Sequence, residues 1–270
     1  MVNAQVNHLV LAGGRAAGVR MEDGKELFAD SIISDVGAIN TFGRLLPQNH
    51  PAAAEMLRAL ANLTPSTAHL CLYVGLKQAA PEGTNLWVLP SYDHDANMER
   101  YLANPSMPFP FLFISFPSAK DPDFARRHPG RATAEVVTPM PYRCFASWQD
   151  TRWKKRPVEY ETFKQQLAER LQRELERHAP ALAGKIDVAE LSTPLTTRHF
   201  MNYGAGEMYG LSSTPQRFKL RCLTPRTPIR NLYLTGQDIS SLGVTGAMFG
   251  GVLAACAILK RNLMPLFAGK

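Results

Sequence analysis

The spacing of apolar positions changes character several times along this chain. From Val6 to Leu11 apolar and polar residues alternate, and the run ends at Gly13-Gly14, a turn signal. Ala17 to Glu22 follows, then Asp23-Gly24, a strong short hairpin signal, then Leu27 to Ala29. Residues 6–29 therefore predict a small antiparallel meander. Asp30-Ser-Ile-Ile-Ser-Asp-Val-Gly37 reads as a buried strand ending at a glycine. The same pattern returns late in the chain, where Leu232 to Thr235 is a short apolar run closed by Gly236. After a polar, Gly-bearing loop, Ile239 to Leu259 carries no charge. Lys260 and Arg261 close it, cations that suit the negative end of a helix dipole.

The middle of the chain has a different texture. Pro51 to Leu63 predicts a helix with Met56, Leu57 and Leu60 on one face. Ala68 to Leu76 and Asn85 to Leu89 predict strands. Asn104 to Pro117 holds four prolines around Phe111-Leu-Phe-Ile-Ser-Phe116. It reads as an edge strand or a wall of aromatic side chains, because proline is poorly tolerated in central strands. Ala132 to Thr138 predicts another strand, cut off by Pro139 and Pro141. The clearest helix is Val158 to His178. There Phe163, Leu167, Leu171 and Leu175 recur every four residues, and Pro180 stops the run. Glu169–Arg173 and Arg170–Glu174 are opposite-charge neighbours on its outer face. Mixed strands with one long amphipathic helix predict an α+β unit built over an antiparallel sheet.

Candidate chemistry concentrates at the late strand, turn and helix. A turn carrying Asp238, between a strand and a helix that starts with small residues, makes a place for a polar ligand. Amides at Thr245, Gly246 and Ala247 would point at negative charge, and Gly246 would let a flat group come close. Two plainer readings stay open. Leu242 to Leu259, with Gly246 and Gly250 four apart, also fits a membrane span with a small-residue face. Its Gly and Thr content, and the strand-and-turn signal before it, favour a buried core helix. Asp238 alone also fits a turn or cap role.

Composition narrows the field. A chain of 270 residues has room for one or two domains, and a net charge of +7 suggests anionic company such as a pyrophosphate or a lipid surface. No basic-and-aromatic nucleic-acid signature is present, so no nucleic-acid partner is expected. Cys71, Cys144, Cys222 and Cys256 lie far apart, and no H-x-x-H or H-E-x-x-H spacing occurs. Neither a metal site nor a disulfide framework is expected, and a cytoplasmic setting fits. The N-terminal stretch lacks the basic region and long apolar core of a signal peptide.

The run NLYLTGQD…GxxGAMxGGxxAxxAILKRNL, from Asn231 to Leu263, resembles the C-terminal flavin-binding motif of the phytoene desaturase and carotenoid isomerase group. Within that group it is most similar to the all-trans-retinol 13,14-reductase-like branch. The segment GGRAAGVRMEDGKELFADSIISDVGA is similar to the meander and strand with which that family returns to its FAD domain. The resemblance implies a cofactor, FAD, with Asp238 on its ribityl or phosphate side and the amides near Thr245 to Ala247 facing a flavin carbonyl. Gly236, Gln237, Asp238, Gly243, Val244, Thr245, Gly246 and Ala247 are the implied cofactor-binding residues. The family's N-terminal G-x-G-x-x-G loop is absent, and the nearest glycine cluster, Gly204 to Gly210, has the wrong spacing.

The fold expected is therefore α/β plus α+β. Residues 1–41 and 226–270 would form a partial FAD-binding domain of the amine-oxidase and phytoene-desaturase type, lacking its N-terminal Rossmann motif. Residues 42–225 would form an antiparallel-sheet substrate domain. Such a piece alone is expected to hold FAD poorly. The implied reaction moves a hydride equivalent between FAD and a carbon–carbon bond of a lipophilic polyisoprenoid or retinoid, as a desaturase, saturase or isomerase. A non-catalytic scaffold, or another flavin enzyme such as an amine oxidase, are the alternatives, and the oligomeric state is open.

The segment Ser192 to Gly204 is similar to the family stretch that runs near ring and substrate. There His199 and Tyr203 would donate protons and Arg198 would orient a polar head. A structural His199 is the plainer reading, and no catalytic residue is assigned. Trp148, Trp153 and Arg152-Trp-Lys-Lys-Arg156 form a basic-aromatic cluster. It would rest on an anionic membrane, as a peripheral contact, or simply be a solvated face.

Overall fold

The computed structural model describes residues 1, 4–47, 49–79 and 83–266. Contacts divide the chain into two compact units, residues 1–66 with 209–270 and residues 67–208.

The first unit opens with β1 (Val6–Ala12), β2 (Arg15–Met21) and β3 (Glu26–Phe28), an antiparallel meander in that order. Gly24, with φ of 86°, makes the second turn where a side chain would be strained. After β4 (Ile32–Ser34) come two helices, α1 (Ala38–Gly43) and α2 (Pro51–Leu60). Pro51 opens α2, where its missing amide has no helical acceptor to forgo. Met56 and Leu60 of α2 bury in one core with Phe42 of α1 and Leu9 of β1.

The second unit is one antiparallel sheet with helices. Its elements are β5 (His69–Leu76), β6 (Leu86–Val88), α3 (His94–Ala103), β7 (Leu112–Ser115), α4 (Phe124–Arg127) and β8 (Ala132–Pro139). They are followed by α5 (Val158–His178), β9 (Ile186–Ser192) and α6 (Pro194–Met201). The strand order is β6-β7-β8-β5-β9. Leu70, Leu72, Val74 and Leu76 alternate onto the inner face of β5, as a two-residue period requires. They share a core with Tyr160, Leu167, Leu171 and Leu175 of α5. A capping box at Thr193, with Thr196 as its return partner, starts α6 directly after β9.

The chain then completes the first unit with α7 (Pro215–Lys219), β10 (Leu232–Leu234) and α8 (Gly243–Leu259). β10 pairs with β4 in parallel, Leu232 opposite Ile32 and Leu234 opposite Ser34. The two strand-then-glycine runs thus lie side by side, with Asp35 and Gly236 at the same end.

Several expectations need correcting. The units part at 66/67 and 208/209, not at 41/42 and 225/226. The physical reason is that α2 and Leu211 and Leu223 bury into the core of the first unit. Residues 2, 3 and 267–270, at the ends of the expected FAD-domain segments, lie outside the described residues. β7 is no edge strand: it pairs with both β6 and β8, and its neighbouring prolines all fall outside Leu112–Ser115. Arg170 and Glu174 are charge neighbours without a close ion pair; the guanidinium donates to the Pro105 carbonyl at 2.8 Å and sits 3.9 Å over the Phe109 ring. Glu174 instead meets His178 at 3.5 Å. The last helix is not buried all round. Only Gly246, Gly250 and Ala254, one stripe of small residues, are buried, while Val244 and Met248 are 78% and 69% exposed. Among the described residues no helix is long and apolar enough to cross a membrane.

Candidate functional site

The turn after β10 is held from three sides. Asp238 is 6% exposed, and both its carboxylate oxygens accept backbone amides of the chain. Oδ2 takes Ala38 N–H at 2.8 Å, at the first residue of α1, and Oδ1 takes Leu211 N–H at 3.1 Å. The carboxylate therefore ties the start of α1 and the segment after Gly210 to this turn, as a charged cap does. Arg217 of α7, 2% exposed, donates to the carbonyls of Leu211 at 2.7 Å and of Gln237. Burial pushes the Arg217 pKa down, and the nearby Asp238 carboxylate works against that.

Close approach explains the glycines. A Cβ on Gly236 would overlap the Asp35 carboxylate, and one on Gly250 would sit 2.8 Å from the Gly236 nitrogen. α8 thus packs its Gly250 directly on the backbone of the turn. A Cβ on Gly246 would overlap the Ser241 carbonyl, so that glycine serves the chain's own loop, not the approach of a flat ligand. Asp35 is solvent-exposed at the end of β4. Partial desolvation of its carboxyl, then the negative Asp238, hold its pKa above the ordinary 3.8.

The amides of α8 divide differently from the expectation. In a helix starting at Gly243, the Gly246 and Ala247 amides reach carbonyls of Leu242 and Gly243. The Val244 and Thr245 amides have no such acceptor, and Gly243 N–H reaches Gln237 Oε1 at 3.2 Å. Gly243, with φ of 78°, has open space where a Cβ would stand. Of the implied cofactor-binding residues, the structure therefore brings Gly236, Gln237, Asp238 and the α8 start together. It leaves open only the Gly243–Thr245 edge.

These residues fit one edge of a flavin. Two free helix-start amides suit an electron-rich carbonyl, and exposed Val244 and Met248 suit a flat apolar ring. Asp238 does not fit the role of a free ligand, because both oxygens are already engaged and buried. No glycine loop among these residues offers a pyrophosphate cradle. Among the described residues, no three His, Cys, Asp or Glu side chains gather as metal ligands would.

The second unit contains a cavity of about 890 Å³. Its walls include His69, Trp153, Arg156, Tyr160, Phe200 and Tyr203. Burial pushes the His69 pKa below 6.5, and its Nδ1 is shut in without a partner. The candidates of the segment Ser192 to Gly204 separate. Tyr203 lines the cavity. His199 stacks on Trp153 at 5.2 Å as an exposed surface ring. Arg198 donates to Tyr142 Oη at 2.7 Å and to the Gly204 carbonyl at 3.3 Å. The basic-aromatic cluster also splits: Trp148 packs in the core against Tyr160 and Phe163, while Trp153 stays at the surface under Lys154.

Sequence reasoning missed Asp35, Arg217 and His69. Asp35 carried a signal, since Asp-x-Gly after β4 mirrors Gly-x-Asp after β10. Arg217 and His69 carried none, because only the fold buries Arg217 and encloses the His69 Nδ1.

No protein-family model matches the chain. Among curated proteins it is 35% identical over 278 residues to all-trans-retinol 13,14-reductase of Rattus norvegicus, covering 97% of this chain and 46% of that protein. It is 29% identical to the chloroplastic prolycopene isomerase of Arabidopsis thaliana, over 93% of this chain and 40% of that protein. The chain thus spans about half the length of the curated relatives it matches. Among solved structures, an oxidoreductase from Methanosarcina mazei aligns with a TM-score of 0.54 at 15% identity, over 96% of this chain and 49% of that one. That likeness concerns the fold. The relatives carry the names of the branch and the wider group that the late motif resembles, and that reading of the sequence holds.

Proposed function

We propose that the chain corresponds to the C-terminal half of an FAD-dependent oxidoreductase acting on carbon–carbon bonds of a lipophilic polyisoprenoid or retinoid. The observation that carries it is the 35% identity to all-trans-retinol 13,14-reductase across nearly the whole of this chain. The relatives' names are those of enzymes, which favours this reading over a non-catalytic scaffold.

In this reading the first unit supplies the flavin's carbonyl edge. The Val244 and Thr245 amides would donate to a flavin carbonyl at the start of α8, Gly243 keeps that approach open, and Gly250 lets α8 sit tight on the turn. Asp238 acts as a positioning residue that fixes α1 and the turn. FAD, when bound, takes or gives the hydride equivalent. The exposed flank of α8 and the exposed Ile33 and Val36 are surfaces that a dinucleotide-binding half would cover.

The second unit is the substrate domain, and its cavity holds the lipophilic substrate against Trp153, Phe200 and Tyr203. Exposed Phe200 and Met201 beside Trp153 and Lys154 make a peripheral contact with an anionic membrane surface. Equilibrium dialysis tests the cofactor half of the proposal. FAD and FMN are expected to bind the chain weakly and alike, and ADP not at all, because only the flavin edge is built from these residues. ADP binding as well as FAD would refute it.

A further inference from the structure

Among the described residues, Arg156 on the cavity wall of the second unit has no anionic partner. The Arg156 Nε is shut from solvent and has no hydrogen-bond partner. Its Nη1 donates to Tyr160 Oη at 3.4 Å and its Nη2 to the Leu195 carbonyl at 3.3 Å, both long and both to neutral oxygens. The Tyr160 ring lies 4.8 Å from the guanidinium carbon and offsets part of the desolvation. The other charges of the cavity wall do not serve it. Lys164 pairs with Glu190, Glu207 accepts the Ala205 amide at 2.9 Å, and Lys154 lies over Trp153. Glu161 also lines the cavity, and among the described residues no ion pair joins it to Arg156.

A half-buried guanidinium with its donors poorly used is unfavourable unless an anion completes it. Its planar fork matches two oxygens of a carboxylate or phosphate. On the same cavity wall stand Trp153, Phe200 and Met201, an apolar surface suited to a hydrocarbon chain.

We propose that this cavity binds an amphiphile with an anionic head, the head on Arg156 and the chain along Trp153, Phe200 and Met201. The inference rests on the reading of the second unit as a substrate domain and narrows it: the ligand this cavity takes carries an acid at its polar end.

Binding of cis-parinaric acid and of its methyl ester to the chain, read by polyene fluorescence, tests this. The acid is expected to bind roughly ten- to a hundred-fold more tightly, the yield of one or two charge-assisted hydrogen bonds. Arg156→Gln should erase that preference while leaving ester binding unchanged, and Arg156→Lys should keep part of it. Circular dichroism spectra matching the wild type confirm that each variant is folded. Competition by dodecyl phosphate and dodecanoate then assigns the head: the stronger competitor names it. Equal affinity for acid and ester, or a preference that survives in Arg156→Gln, overturns the anionic head alone. Binding of neither probe overturns the lipophilic cavity as well.

Discussion

Removing the Asp238 carboxylate should damage the fold of the first unit before any cofactor is considered. Asp238→Ala leaves the amides of Ala38 and Leu211 buried without acceptors, and it removes the nearest negative charge from buried Arg217. Each buried donor left unsatisfied costs about 1–3 kcal/mol, so the pair amounts to about 2–6 kcal/mol. With a urea slope of about 2 kcal/mol per molar, a loss of about 4 kcal/mol should lower the midpoint for this unit by about 2 M. The chain provides a way to separate the units, because Trp87, Trp148 and Trp153 all lie in the second. Far-ultraviolet circular dichroism should therefore show an early transition that tryptophan fluorescence does not. Hydrogen exchange gives the local reading: the Ala38 and Leu211 amides should lose protection. Asp238→Asn keeps one accepting oxygen and should fall between. If the midpoint and both amides are unchanged in Asp238→Ala, the carboxylate is no strut and the cap assignment is wrong.

Other consequences follow from the same geometry. Gly250→Ala should destabilise by about 1–3 kcal/mol, because its Cβ would meet Gly236 backbone that cannot turn aside; Gly243→Ala should cost less, since only its positive φ is strained, and thermal unfolding ranks the two. Asp35 is raised in the fold, so the fold binds its proton more tightly than the unfolded chain does, and stability is lost as pH rises from 3.8 through the folded value. Asp35→Asn should therefore stabilise the chain at pH above that window and not below it, as urea midpoints at several pH values will show. His69 is lowered, so its neutral form contributes stability above 6.5 that is lost as pH falls; His69→Phe should flatten that acid limb in the same assay. Val244→Glu puts an acid at the exposed start of α8 and should raise stability by about 0.3–1 kcal/mol while weakening flavin retention, read by dialysis.

Much of the fold was legible because period and punctuation agreed. The meander followed from alternation and Asp23-Gly24, and α5 from apolar residues four apart with Pro180 behind them. β9 was missed because Asp187 to Glu190 are all exposed on an edge strand, and no alternation betrays it. α8 was half legible. Its lack of charge suggested burial on every side, but the stripe of Gly246, Gly250 and Ala254 is what packs. The late stretch was legible as strand, turn and helix, but not the contacts its carboxylate makes. A Gly-x-Asp turn says that a carboxylate is there, whereas the amides that engage it come from residues 27 and 200 positions away in the chain. No local pattern carries such a contact. The family resemblance located the motif; only coordinates could show which of its residues are engaged in holding the fold.

Amide chemical-shift mapping of the isotope-labelled chain during titration with FAD is the most direct test of the account. The largest shifts should fall on Gly243, Val244 and Thr245, with smaller ones at Gly236 and none at Gly204 to Gly210. Shifts absent from the start of α8 at saturating FAD, or centred on another part of the chain, would contradict a flavin-facing edge there.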